Sequence, residues 1–261
     1  MNGLLWRMES RGGGNSEVPF ATVAQRLLEA ADSSTLFIRQ GKQSIGQLRW
    51  SPSVLHDEAS ATNQLADEGM VTRRTGYALD FDLNLVAPGT DLHGRGTGRC
   101  EFNVDRTWRS VEMRFLQKPI TYEFFAAATN SQLSLRVLQG SDVLFNQTLP
   151  LNDPAKLLRS LDGGLGGFGL LTPGLLSGLG LLAAGNPTNG AAGSWSTHLF
   201  RWEARTTELR VSQQRVRTFQ VTGRVLDRYQ ADAWIGRGGE LLRVLLPGDI
   251  ELRDESLPAA R

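Results

Sequence analysis

A strict two-residue alternation between positions 77 and 85 is the sequence feature that most constrains this fold. Polar or small residues occupy the even positions, and large apolar residues occupy the odd ones: Tyr77, Leu79, Phe81, Leu83 and Leu85. Successive side chains of a β-strand point to opposite faces, so an extended strand gathers all of these apolar groups on one face. The segment therefore predicts a half-buried strand with one dry face and one wet face.

The same alternation recurs along much of the chain. It continues through Cys100, Phe102 and Val104, through residues 111–115, 120–124 and 133–137, and in shorter runs elsewhere. Short turn-forming stretches separate these runs, which is typical of antiparallel hairpins. About eleven strands in total are more than a flat open sheet usually holds. The pattern therefore predicts a mainly β fold with a single strongly curved antiparallel sheet, a half-barrel; a two-sheet β-sandwich is the alternative.

The N-terminal region predicts one helix behind a flexible stub. Apolar residues recur at i, i+3, i+4 and i+7 over residues 16–31, with Pro19 in the first turn, and this spacing is that of an amphipathic helix. In the stub, residues 1–15, the apolar run Leu4 to Trp6 precedes arginines and glycines. One hypothesis is that a membrane anchor preceded this stub and that the N-terminus associates with a membrane; a plain disordered terminus is the alternative.

A glycine- and leucine-rich insertion interrupts the strand pattern at residues 153–190. Pro154 and Pro173 each stand at the start of a short predicted helix. The insertion carries too many apolar groups for an ordinary solvent-exposed loop, so it either completes the core or covers an apolar cavity as a mobile lid. Its glycines favour the lid. The rest of the chain contains no linker, so residues 16–261 are predicted to form a single β domain.

Residue types that carry catalytic or metal-binding chemistry are sparse. The single cysteine, Cys100, falls on a predicted dry face, where burial raises the pKa of a thiol and leaves little nucleophilic thiolate. The three histidines, at positions 56, 93 and 198, lie far apart in the sequence and have no metal-ligand spacing with another donor. The sequence therefore predicts that the protein is not an enzyme and has no metal site and no cofactor.

The charged residues predict a solvated outer face. Acidic residues alternate with the apolar ones at Asp80, Asp82, Glu101 and Glu123. We expect these carboxylates to pair across strands with neighbouring arginines, namely Arg99, Arg109 or Arg114. The glycine run from Gly94 to Gly98 precedes a strand, whereas a phosphate-binding loop needs a helix there. With 28 basic and 27 acidic residues the net charge is +1, which argues against a nucleic-acid partner.

Two stretches of sequence carry a family resemblance. Near the end, the stretches 229–235 and 239–244, followed by Pro247 and Gly248, form a Trp-containing strand, a glycine turn and a strand that ends near Pro-Gly. Residues 36–46 form an opening hairpin with a glycine after its second apolar residue. These motifs and the order of elements resemble the lipoprotein-carrier fold of LolA and LolB and its bacterial envelope relatives. The resemblance implies a curved sheet around an apolar cavity covered by helices, with acyl or lipid-like ligands and a periplasmic or cell-envelope location.

Together these observations predict a non-enzymatic bacterial cell-envelope protein that binds a hydrophobic or lipid-like ligand on the concave face of its sheet. Each methylene of an acyl chain buried there would contribute about 0.8 kcal/mol. The residues predicted to line the apolar cavity are Phe81, Phe102, Phe115, Phe124, Leu170, Leu175, Leu176, Leu179 and Leu182. The alternative is a structural or protein-interaction module of the envelope that has no small-molecule ligand.

Overall fold

A computed structural model describes residues 16–57, 73–86, 93–150, 200–211, 214–225 and 229–257. In this described part of the chain, one helix, α1 (Phe20–Leu28), precedes 13 strands. The strands are β1 (Ser34–Gln40), β2 (Gln43–His56), β3 (Arg74–Val86), β4 (His93–Asn103), β5 (Trp108–Gln117), β6 (Ile120–Ala127), β7 (Gln132–Gln139), β8 (Asp142–Pro150), β9 (Phe200–Val211), β10 (Gln214–Val225), β11 (Tyr229–Ile235), β12 (Leu241–Leu246) and β13 (Ile250–Asp254).

All 13 strands belong to one open antiparallel sheet, in the order β8-β7-β6-β5-β4-β3-β2-β1-β13-β12-β11-β10-β9. Strands β1 to β8, which we call the first wing, each pair with their neighbour in sequence. Strands β9 to β13, the second wing, do the same, and β13 returns to pair with β1 along Leu36 to Gln40. The prediction of a single antiparallel sheet is confirmed, and the alternative of two packed sheets is wrong.

The strand register separates an apolar inner face from a charged outer face. One row of paired residues crosses six strands of the first wing on the inner face: Trp50, Phe81, Gly98, Met113, Phe124 and Leu135. The row one step away on the outer face includes Arg49, Asp82 and Thr97. The buried cluster of the sheet consists of the inner-face residues of both wings together with Val23, Leu27 and Leu28 of α1. The predicted alternation of a dry and a wet face is therefore confirmed.

Contacts of α1 show that the sheet is curved. At the start of the helix, Phe20 stacks on Trp202 of β9 with the ring centroids 5.5 Å apart. Just past its end, Glu29 accepts a 3.0 Å hydrogen bond from the hydroxyl of Tyr77 on β3. In a flat sheet β3 and β9 would lie about 34 Å apart, seven strand spacings, whereas a nine-residue helix is about 14 Å long. The two wings must therefore curl around α1, as a half-barrel does.

The helix is shorter than the predicted range 16–31, because the residues before Pro19 take part in the sheet. The backbone N–H of Val18 donates to the carbonyl of Ala204 at 2.9 Å, and Glu17 forms an isolated antiparallel bridge with Arg205. Proline has no N–H to lose and is well suited to precede the first helical turn. Residues 16–18 thereby cover part of the edge of β9.

Three local expectations need correction or lie outside the described residues. Val104 was expected on the buried face but is 51% exposed, because β4 ends at Asn103 and a turn follows. The N-terminal stub with its proposed membrane anchor, and the insertion at 153–190 with its short helices, fall outside the part that the structure describes.

Candidate functional site

The four phenylalanines predicted to line a cavity all lie on the inner face of the first wing. Phe81 and Phe124 share one row and are separated by β4 and β5, which is about 14 Å across. Phe115 lies in the next row and Phe102 further along β4. Phe102, Phe115 and Phe124 are buried, and Phe81 is half-buried. The structure therefore confirms a shared apolar face; the predicted leucines at 170, 175, 176, 179 and 182 lie outside the described residues.

Three glycines of β4 shape this apolar face. Gly94, Gly96 and Gly98 all point inward, and the rings of Phe115 and Phe81 occupy the space that side chains there would need. A Cβ on Gly98 would collide with the Phe81 ring, and one on Gly96 would come within 3.2 Å of the Phe115 ring. The aromatic rings therefore lie along the sheet and cover the glycines. We call this surface of β3 to β6 the aromatic floor.

The glycine run that superficially matches a phosphate loop thus has a packing role inside a strand. Strand β4 begins at His93, so Gly94 to Gly98 is extended sheet throughout. Its backbone groups pair with β3 on one side and β5 on the other. This sheet pairing engages the amides that a phosphate loop would direct at its ligand.

Two indole N–H groups are the unexpected polar feature of the buried cluster. Trp50, in the same row as Phe81, and Trp202 on β9 each bury their Nε1 without a hydrogen-bond partner among the described residues. Leaving a buried donor unsatisfied costs about 1–3 kcal/mol, so such groups call for an explanation. Whether an acceptor lies beside a buried indole depends on distant residues, so the sequence carries no signal for it.

A small polar cluster holds the C-terminal end of α1 against the first wing. Tyr77 donates to Glu29, and Arg74 lies 2.8 Å from the Tyr77 hydroxyl and 3.3 Å from the Glu29 carboxylate. Burial acts to raise the pKa of Glu29, but hydrogen bonds from Gln25 and Tyr77 and the charge of Arg74 outweigh it, so the pKa is lowered. Burial and the hydrogen bond to Glu29 raise the pKa of Tyr77. This cluster fastens α1 to the first wing.

Cys100 lies on the inner face between Gly98 and Phe102 along β4, with none of its surface exposed. Burial, and to a smaller extent the charge of Asp80, raise the pKa of its thiol far above the usual range. A thiol in this state has almost no thiolate. The predicted burial of Cys100 is confirmed.

The outer face carries the expected cross-strand ion pairs. Arg99 contacts Asp80 across strands at 3.1 Å and Glu101 within its own strand at 3.0 Å. Glu101 also lies 3.9 Å from Arg109, and Glu123 lies 3.8 Å from Arg114. The predicted cross-strand pairing is confirmed for Asp80, Glu101 and Glu123, whereas Asp82 pairs with Arg95 at 3.1 Å and not with one of the three expected arginines. Within the described ranges, no group of three or more His, Cys, Asp or Glu residues is arranged to hold a metal ion.

Comparisons with known proteins add no relative. No family model matches this sequence, and neither a curated protein nor a solved structure matches it. The resemblance to the LolA and LolB fold therefore stays a prediction. In the described part of the chain, no helix has the length and apolar character needed to cross a membrane.

Proposed function

We propose that this protein is a non-enzymatic binding protein of the bacterial cell envelope that holds a hydrophobic or lipid-like ligand against the aromatic floor. The observation that carries the proposal is the extent of the apolar inner face. Six consecutive strands, β2 to β7, contribute to a single row whose members are apolar or glycine, from Trp50 to Leu135. The one described helix packs mainly against β2, β3 and β9.

The placement of the rings over glycines supports binding of an extended apolar chain. Because the Phe81 and Phe115 rings lie over glycines, they extend along the sheet and add to its apolar inner face. An acyl chain laid across them would gain about 0.8 kcal/mol for each buried methylene. About ten methylenes give a gross gain near 8 kcal/mol, part of which offsets the lost freedom of the ligand.

The unsatisfied indole of Trp50 supports a lipid with a polar acceptor over a bare hydrocarbon. It lies in the row of the aromatic floor, between Ser34 and Phe81. An ester or carboxyl oxygen that reached Nε1 would remove the cost of the buried donor. Specific ligand sites commonly combine a largely apolar lining with a few polar groups that fix orientation.

A matched pair of neighbouring phenylalanines tests this function. Phe124 is buried on the inner face, and Phe125 is 46% exposed on the outer face. Full-length protein is titrated with the fluorescent fatty acid cis-parinaric acid, and gently purified protein is weighed by native mass spectrometry. We expect binding by the wild type and by Phe125→Ala, co-purified lipid in both, and at least tenfold weaker binding by Phe124→Ala.

Two results would contradict the proposal. One is a wild-type protein that carries no lipid and does not bind the fatty acid. The other is equal affinity of the two variants. Circular dichroism is measured on both, and if Phe124→Ala loses its strand signal the milder Phe124→Leu replaces it, with about threefold weaker binding expected.

A second function, docking of a protein partner, is favoured by β8, which is an edge strand of the sheet within the described residues. Val143 and Leu144 are 52% and 53% exposed there, and Asp142 is the only charged residue of the strand. An edge strand with exposed apolar side chains and few charges is suited to pair with a strand from another chain. Light scattering of wild type against Leu144→Lys tests it: a complex or oligomer that the substitution dissolves supports docking, and a monomer in both excludes self-association.

A further inference from the structure

A second site lies outside the aromatic floor, in an open cavity of about 600 Å³ at one end of the sheet. It is formed where β1 begins, β10 begins, β11 turns into β12 and β13 ends. Most of its lining comes from the second wing. The polar and charged residues that line it are Ser33, Ser34, Arg217, Arg237, Glu240 and Asp254.

The two arginines of this cavity are without an ion pair in the described ranges. Most arginines of the first wing's outer face contact a carboxylate, as Arg99 does at 3.1 Å. No such contact is formed by Arg217 or Arg237 among the described residues. Arg237 is engaged through its backbone, since its carbonyl accepts a 2.6 Å hydrogen bond from Nη1 of Arg26. Both guanidinium groups are therefore available to a ligand.

The two carboxylates of the cavity are held away from those arginines. Asp254 accepts hydrogen bonds from the backbone N–H and the hydroxyl of Ser256, at 2.9 and 2.6 Å. The Glu240 carboxylate folds back over the turn from Gly236, where its Oε1 lies 2.6 Å from the position that a Cβ on Gly238 would take. The buried hydroxyl of Ser34 accepts from the N–H of Leu241 and keeps its own proton for donation.

We propose that this cavity binds the carboxylate or phosphate group of an anionic ligand. Arginine presents its N–H donors in a planar fork that matches both groups, and two such forks supply the charge to hold one. Ser34 adds a neutral donor at the wall formed by β1. Glu240 opposes the anion and limits its affinity. The anion is either a free small ion or the charged end of the lipid proposed above; only that second source rests on the proposed function.

Calorimetric titration of the full chain with three probes tests this site. Inorganic phosphate represents the free anion, laurate represents a lipid with an anionic end, and methyl laurate is the uncharged match. We expect Arg217→Gln and Arg237→Gln each to weaken binding of the anionic probe about tenfold and to leave methyl laurate unchanged. Glu240→Gln should strengthen anion binding severalfold, because it removes the opposing charge. Arg224→Gln, an exposed arginine of the same strand outside the cavity lining, should match the wild type.

The outcomes separate the source of the anion from the existence of the site. Binding of phosphate that the two variants weaken assigns a free anion, and a preference for laurate over methyl laurate that they abolish assigns the lipid end. A wild type that binds neither anionic probe, or arginine variants with unchanged affinity, overturns the site. If the protein binds phosphate normally but binds neither laurate nor methyl laurate, the proposed lipid function is wrong and the anion site is supported.

Discussion

The two wings use the same packing device, an aromatic ring over a glycine, and α1 packs mainly against β2 and β3 of the first wing and β9 of the second. On the second wing, the Trp202 ring covers Gly223 as Phe81 covers Gly98 on the first. Phe20 of α1 then stacks on Trp202, and the Arg26 guanidinium lies 5.5 Å above the Phe219 ring. An aromatic side chain over glycine is thus a general way to build this curved sheet. The glycines alone do not mark a binding site.

The two wings differ in what packs against their apolar inner faces. In the second wing, Trp202 and Phe219 pack against α1, and the inner face becomes charged further along, where Arg215 lies 3.7 Å from Glu208. The aromatic floor of the first wing reaches β6, and of its four strands only β3 is among the main contacts of α1. We therefore infer structural packing for the second wing and ligand binding for the first, and the predictions below test that division.

The largest effect is expected from weakening the helix that joins the wings. Leu27 of α1 is 5% exposed, and Leu27→Ala should lower the free energy of unfolding by about 2–5 kcal/mol, since it leaves a cavity between helix and sheet. Chemical denaturation measures this. Phe37→Ala, at an outer-face position of β1 that is 37% exposed, is the control and should cost less than half as much. Equal losses would mean that α1 does not join the wings.

A pair of glycine substitutions compares the wings directly. Gly98→Ala and Gly223→Ala each place a methyl group against an aromatic ring, so each should destabilise the fold by about 1–3 kcal/mol. Their effects on ligand binding should differ: Gly98→Ala lifts the Phe81 ring from the floor and weakens fatty-acid binding, whereas Gly223→Ala leaves it unchanged. If both variants bind equally well while folded, the division of roles between the wings is wrong.

The extended elements were predictable from sequence because a period of two is a local signal. Tyr77 to Leu85 needed no knowledge of its partners to be identified as a strand. The return of β13 to β1 was not predictable in the same way, since the residues that pair, such as Phe37 and Arg253, lie more than two hundred positions apart. This pairing is what places the two wings in one sheet.

The candidate sites were predictable only where they follow from strand parity. The inner position of Phe124 comes from the alternation alone. The cavity near Arg217 and Arg237 joins residues from both ends of the sheet, and in the sequence these arginines are two among many. The covering of Gly98 by Phe81 also depends on the register between β3 and β4, which the sequence does not state.

The two buried indoles allow a subtler comparison of the wings. Trp50→Phe and Trp202→Phe each remove an unsatisfied donor and keep an aromatic ring. The stability gained by removing that donor offsets the packing lost with the smaller ring. Each substitution should therefore change the free energy of unfolding by no more than about 1 kcal/mol. Trp50→Phe should also weaken binding of methyl laurate by about three- to tenfold, the contribution of one hydrogen bond, with no change for dodecane. Unchanged ester binding would remove Trp50 from the site.

Acidification tests how α1 is fastened to the first wing. The pKa of Glu29 is lowered in the fold, so its interactions with Gln25, Tyr77 and Arg74 stabilise the protein above pH 4.5, the usual value for this group. That contribution is lost as the pH falls through the lowered pKa. Between pH 7 and pH 3 the wild type should therefore lose more stability than Glu29→Gln, by less than about 1 kcal/mol because the carboxylate is partly exposed. An equal loss of stability in the wild type and in Glu29→Gln would show that Glu29 does not fasten the helix.

The smallest effect is expected on the outer face, where the ion pairs of the first wing are open to water. Arg99 contacts both Asp80 and Glu101, yet its side chain is 43% exposed, so Arg99→Gln should cost less than about 1 kcal/mol. The cost should shrink further in 1 M salt, because screening acts on exposed charges. Denaturation at low and high salt measures it, and fatty-acid binding should be unchanged. A loss of unfolding free energy as large as that of Leu27→Ala would mean that the outer-face ion pairs are essential for stability. The contrast between an apolar ligand-binding inner face and a solvated outer face would then be wrong.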